Sequence, residues 1–153
     1  MIDNAFGEIE YEYGWNGKIQ LYCFGEKQSV DLIISGEMDG KFDSWQYDSF
    51  RFFIHNWEKI QDEMKKSLYE YYCQLRMELG YDDGSNADFP DIHHIDDIIR
   101  LIQIDALIIP ASGIYEERCI NLALSCTWDE ENGVGIRFLN EMIDEIGYQD
   151  IAF

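Results

Sequence analysis

The order of apolar and polar positions divides the chain into strands, then helices, then strands again. In residues 7–13, GEIEYEY, three acids (Glu8, Glu10 and Glu12) alternate with apolar residues. This period of two is typical of a strand with one solvent-facing side. The segments KIQLYCF and SVDLIIS continue the alternation, and Asn16-Gly17 predicts a tight turn before them. Residues 6–36 are therefore predicted to form a three-stranded antiparallel meander.

A long helix is predicted next, because apolar residues recur every three or four positions from Phe50 to Leu79. Ser44 or Asp48 is suited to cap its start, and Gly80 is suited to end it. Such a helix would span about 45 Å, so we expect a bend or an overhang beyond the sheet. Residues 81–91, YDDGSNADFPD, lack periodicity and are predicted to form an exposed loop.

Asp91 is predicted to cap a short helix running to Leu101, after which the strand pattern returns. Four further strands are expected in the segments IQIDALIIP, RCINLALSCTW, VGIRFLN and EMIDEIGY. Asn132-Gly133 predicts a two-residue hairpin turn between the second and third of these strands. Residues 1–153 are thus predicted to form a single α+β domain, with a mostly antiparallel sheet and helices packed on one face.

Charge narrows the choice of partner. The chain carries 31 Asp and Glu against 11 Lys and Arg, a net charge of -20. This excess disfavours nucleic acid and anionic membranes as direct partners, and it favours a basic protein or a divalent cation. Solubility or a salty habitat is the alternative explanation. We expect the partner to contact the acids of the exposed loop and of the hairpin tip, which are Asp82, Asp83, Asp88, Asp91, Asp129, Glu130 and Glu131.

Targeting signals and cysteines add little chemistry. The start MIDNAFGEIE lacks a basic region followed by an apolar run, and no segment approaches the roughly 20 apolar residues of a membrane span. A cytoplasmic location is therefore expected. Cys23, Cys73, Cys119 and Cys126 have no Cys-x-x-Cys spacing, which favours four buried free thiols over a zinc site.

No pattern in the sequence indicates catalysis. His93-His94 with Asp96-Asp97 is the one place where imidazole and carboxylate cluster, but the tandem lacks the i, i+4 spacing that two histidine ligands use. An EF-hand loop beginning at Asp129 fails, because Asn140 stands at its twelfth position. Neither Gly-x-Ser-x-Gly nor Ser-x-x-Lys occurs. We predict a protein without enzymatic activity, catalytic residues, metal ligands or a cofactor.

The two ends of the chain carry a resemblance. The C-terminal SCTWDEENGVGIRFLNEMIDEIGYQDIAF and the N-terminal FGEIEY resemble a loose group of small bacterial domains, many of them suspected immunity proteins encoded beside polymorphic or contact-dependent toxins. In that group a strand ends in Trp-Asp, a Glu-x-Gly-x-Gly turn follows, and a last strand closes on a pattern here formed by Ile146, Gly147 and Asp150. The resemblance covers roughly the first 25 and the last 30 residues.

The resemblance implies an immunity protein that binds and blocks a cognate toxin. An acidic surface suits that task, because toxins that attack nucleic acid are usually basic and carboxylates imitate phosphates. No catalytic residue is implied. Two other interpretations stay open: a divalent-cation-binding or cation-dependent protein that uses the acidic loops, and an unassigned housekeeping role.

Overall fold

One eight-stranded sheet organises the chain in the computed structural model, which describes residues 1–80 and 87–153. The strands lie in chain order: β1 (Ile2–Asp3), β2 (Gly7–Tyr11), β3 (Trp15–Cys23), β4 (Glu26–Ile34), β5 (Ile102–Ile109), β6 (Cys119–Cys126), β7 (Val134–Leu139) and β8 (Met142–Gly147). Every neighbouring pair is antiparallel except β4 and β5, which run parallel. The predicted α+β class and the mostly antiparallel sheet are confirmed.

The predicted N-terminal meander is present, but its first turn is not at Asn16-Gly17. Those two residues lie inside β3, where Gly17 pairs with Ile9. The chain reverses at Tyr13 and Gly14, which have φ of 57° and 140°. Gly17 is needed for a different reason: a Cβ there would lie 2.9 Å from the Glu8 carbonyl oxygen. The glycine therefore permits close packing of strands instead of a turn.

The predicted long helix is two helices, α1 (Ser44–His55) and α2 (Trp57–Leu79), interrupted at Asn56. The Asn56 backbone N–H and side-chain amide both donate to the Phe52 carbonyl, at 3.0 and 2.7 Å. These bonds satisfy the Phe52 carbonyl at the end of α1, where the single predicted helix is interrupted. Gly80 ends α2 in the left-handed region, with φ of 76°, as predicted.

The two predicted N-caps shift by a few residues. Asp43, not Ser44 or Asp48, caps α1: its carboxylate accepts from the Gln46 N–H at 2.9 Å, and the Gln46 side chain accepts from the Asp43 N–H at 3.1 Å. This reciprocal pair satisfies two otherwise unpaired donors. The short helix that was predicted to begin at Asp91 is a 3-10 helix, Ile95–Leu101, and its cap is His94 rather than Asp91.

Helices α1 and α2 cover one face of the sheet, as predicted. The core between them contains Phe53, Trp57 and Leu68 from the helices and the alternate residues Ile120, Leu122 and Leu124 of β6. The opposite face is partly covered by a second 3-10 helix, Gln149–Ala152, whose Ala152 packs on Ala106 and Ala123. No helix in the described ranges has both the length and the apolar character needed to cross a membrane.

Candidate functional site

Two of the predicted acidic stretches are brought together by the fold. We define the acidic segment as residues 87–92 and the acidic loop as residues 127–133, between β6 and β7. The Thr127 hydroxyl donates to the Asp88 carbonyl at 2.9 Å. The ring of Trp128 lies 6.0 Å from that of Phe89 and 4.9 Å from that of Tyr72, centroid to centroid. Residues far apart in sequence therefore form one continuous surface.

The acidic segment is fixed by side chains that donate to its backbone carbonyls. The Tyr72 hydroxyl donates to the Pro90 carbonyl, and the Arg76 guanidinium donates to the Phe89 carbonyl. The Tyr69 hydroxyl donates to the Ile92 carbonyl at 3.4 Å, and the Thr127 hydroxyl donates to the Asp88 carbonyl. Arg76 is only 3% exposed, and its guanidinium lies 5.6 Å from the centre of the Phe89 ring. We call Tyr69, Tyr72, Arg76 and Thr127 the clamp. It holds an irregular stretch of backbone in one position without strand pairing.

Burial changes the ionisation of Tyr72 and of its neighbour Tyr71. Burial raises the pKa of Tyr72 to about 12, even though the neighbouring Arg76 guanidinium opposes this rise. Burial likewise raises the pKa of Tyr71, with smaller contributions from Tyr148, Cys126 and the Asp129 carboxylate. Helix α2 lies beside the acidic loop, because Tyr72 contacts Trp128.

The acidic loop is not the two-residue turn that Asn132-Gly133 predicts. Strand β6 ends at Cys126 and β7 begins at Val134, so the connection spans residues 127–133. The Asp129 carboxylate accepts from the Asn132 backbone N–H at 3.1 Å and from the Asn132 amide at 3.0 Å. The Gly133 N–H donates to the Asp129 carbonyl at 2.9 Å. Asp129 therefore shapes the loop, whereas Glu130 and Glu131 are exposed.

The predicted partner-binding residues divide into three groups. The acidic segment and the acidic loop together form what we call the acidic surface, and four of the predicted acids are exposed on it: Asp88, Asp91, Glu130 and Glu131. Asp129 is half-buried within its loop. Asp91 lies 3.5 Å from the His93 imidazole. Asp82 and Asp83 lie outside the described residues.

Nearly the whole sequence matches a known family. A family model described as a domain of unknown function, DUF6985, matches residues 5–153. The chain belongs to the DUF6985 family. No curated protein and no solved structure matches it. Because the match extends over both sheet halves and both helices, the acidic surface is part of the DUF6985 domain rather than an appendage.

Within the described part of this DUF6985 domain, no group of three or more His, Cys, Asp or Glu is placed to hold a metal ion. His93 and His94 point to separate carboxylates, Asp91 at 3.5 Å and Asp96 at 3.6 Å. Burial raises the pKa of the thiols of Cys23, Cys119 and Cys126 to about 11, so these groups are poor nucleophiles.

A second acidic area lies on the face of the sheet opposite α1 and α2, which we call the open side. Here Glu8, Glu10 and Glu12 line a groove of about 680 Å³ with Lys18 and Asp31. Sequence alternation predicts the glutamates but not Asp105, which a β-bulge between Ile104 and Ala106 places nearby. Burial raises the pKa of Asp105, and Asp31 adds to the rise while the Ser125 hydroxyl opposes it.

Proposed function

We propose that the chain is a bacterial cytoplasmic immunity protein that binds and blocks a cognate basic toxin through its acidic surface. The observation that carries the proposal is the clamped juxtaposition of the acidic segment and the acidic loop. A net charge of -20 supports it, since a basic partner would be attracted at long range.

The geometry gives this surface two useful properties. First, carboxylates of Asp91, Glu130 and Glu131 are exposed, so they keep their hydration until a partner arrives. Second, the clamp fixes the backbone beneath Asp88 and Phe89, so less conformational entropy is lost on binding. If the toxin acts on nucleic acid, these carboxylates occupy the positions of phosphates and exclude the substrate by occupancy.

The test uses the protein encoded by the neighbouring gene. Its expression alone is expected to arrest growth, and co-expression with this chain is expected to restore growth through an isolable complex. A neighbour without toxicity, or rescue without a complex, would overturn the proposal.

The acidic surface is tested with matched charge variants. The triple variant Asp91→Asn, Glu130→Gln, Glu131→Gln is expected to slow association with the neighbouring toxin and to flatten its salt dependence. The control replaces Glu8, Glu10 and Glu12 by Gln, which removes the same charge from the open side of the sheet. Equal slowing by both variants would show that net charge acts without a defined surface.

A further inference from the structure

A different surface lies at the opposite end of β6 and β7 from the acidic loop. Here the outer side of α1 meets the 110–118 connection and the β7–β8 turn. Trp45 and Phe52 are seven positions apart on α1, and so they point to the same side two turns apart. They are 39% and 41% exposed, although both are large and aromatic. Neither belongs to the core stripe of the helix, which contains Phe53.

The connection and the turn extend this aromatic area. Trp45 and Tyr115 line the same small pocket, and the Arg118 guanidinium lies 4.6 Å from the centre of the Phe52 ring. Ile114 lies between the pocket residues Gly113 and Tyr115 and is 65% exposed. We define the anchor surface as Trp45, Phe52, Ile114, Tyr115 and Arg118.

The anchor surface is held in shape by ion pairs. Arg118 makes two hydrogen bonds to the Glu141 carboxylate, at 2.6 and 3.1 Å. Glu141 is a non-glycine residue with φ of 66°, and the adjacent Asn140 has φ of 47°. Arg137 lies 4.8 Å from the centre of the Tyr115 ring and bonds Glu145 at 2.7 Å. Both cations are therefore oriented before any partner binds.

The chemistry of the anchor surface indicates what it fits. Tryptophan, tyrosine, phenylalanine and arginine are among the residues enriched where protein interfaces are buried most deeply. The charged residues beside these side chains are the acids Glu116, Glu117 and Glu141 and the cation Arg118, so acids predominate. An acidic rim repels a second copy of a chain with net charge -20 and attracts a basic protein.

We infer that the anchor surface is the site where a basic protein partner buries apolar side chains. The inference rests on the proposed function and deepens it, because it separates two tasks. The acidic segment and acidic loop accelerate encounter, whereas the anchor surface slows dissociation. Strand β6 contains eight residues, so the two surfaces are about 25 Å apart and fit within one large interface.

The experiment measures association and dissociation rates with the protein encoded by the neighbouring gene. The double variant Trp45→Ala, Phe52→Ala is expected to raise the dissociation rate roughly tenfold or more, with little change in the association rate. Ile114→Asp provides a second variant, whose exposed position leaves the core intact. The control is Tyr22→Ala, since Tyr22 is 65% exposed on the other side of the sheet.

The outcomes separate the two proposals. If the toxin complex forms and dissociates from both anchor variants as it does from the wild type, the anchor surface is wrong and the proposed function stands. If the neighbouring protein does not bind at all, both proposals fall. If Tyr22→Ala accelerates dissociation as strongly as the anchor variants, the interface is not the anchor surface.

Discussion

At the scale of single residues, the shape of the acidic loop depends on the glycine at position 133. Its φ is 58°, and a Cβ there would lie 2.6 Å from the Leu124 carbonyl oxygen. Gly133→Val is therefore expected to destabilise the fold by more than the about 1–3 kcal/mol that a strained φ alone costs. The measurement is the free energy of unfolding in urea.

The matched control is Gly113→Val. Gly113 also has a positive φ, 93°, but nothing lies within 4 Å of a Cβ at that position. It therefore tests the backbone strain without the steric clash. Equal losses in the two variants would contradict the claim that close approach to Leu124 adds to the cost.

Asp129 differs from Glu130 and Glu131 in a way that composition alone does not predict. The triplet of acids predicts an exposed tip, and for Glu130 and Glu131 the side chains are exposed. Asp129 is different because its carboxylate accepts hydrogen bonds from Asn132 and builds the loop. Composition does not distinguish the three acids, since the distinction depends on where the chain turns. An aspartate three residues before an asparagine is the sequence signal that predicts such a loop.

At the scale of elements, the strands were predictable and their connections were not. Alternation locates the strands of the N-terminal meander because burial of one face imposes a period of two. In β5 and β6, by contrast, residues of both faces are buried. The chain instead reverses at Tyr13-Gly14, Phe24-Gly25 and Asn140-Glu141, where all six residues have positive φ. Phe24 and Glu141 are unusual in that conformation, so propensity alone points elsewhere. The juxtaposition of the acidic segment and acidic loop depends on tertiary contacts of Trp128, which a pattern does not contain.

The start of α1 provides an element-level prediction. Asp43 caps the helix, and its carboxylate also accepts from the Ser112 hydroxyl at 2.7 Å, which ties α1 to the 110–118 connection. Asp43→Ala is expected to lower the free energy of unfolding by about 1 kcal/mol near neutral pH. Glu63→Ala is the control, because it removes an exposed acid from α2 without removing a cap.

The same prediction has a defined pH dependence. Burial tends to raise the pKa of Asp43, but hydrogen bonds from Ser112 and from the first turn of α1 hold it below its ordinary value of 3.8. A carboxyl whose pKa is lowered by folding contributes stability above its unfolded pKa, and this contribution is lost as the pH falls through the folded pKa. The difference between wild type and Asp43→Ala is therefore expected to shrink below pH 3.8. A constant difference across that range would mean that the carboxylate charge has no part in the cap.

At the scale of the whole molecule, the net charge of -20 opposes compactness while it favours a basic partner. The ion pairs among the described residues are mostly exposed, and exposed pairs stabilise a fold weakly. Strong association with a cation or with a basic protein would relieve the repulsion in two different ways. A cation would be bound by ligands at fixed positions, whereas a basic protein would be attracted by the combined electric field of many acids.

Thermal unfolding in two salts distinguishes these cases. Sodium chloride is expected to raise the melting temperature, because screening reduces repulsion among the 31 acids and the Debye length falls to about 10 Å near 0.1 M. Calcium chloride at matched ionic strength is expected to give a similar rise, since the described residues contain no metal-binding group of three or more ligands.

A rise at calcium concentrations too low to screen charge would instead reveal specific binding, which stabilises the folded state in proportion to the logarithm of ligand concentration. Loss of that rise in the triple variant Asp91→Asn, Glu130→Gln, Glu131→Gln would assign the cation to the acidic surface and favour the cation-binding interpretation over the immunity protein.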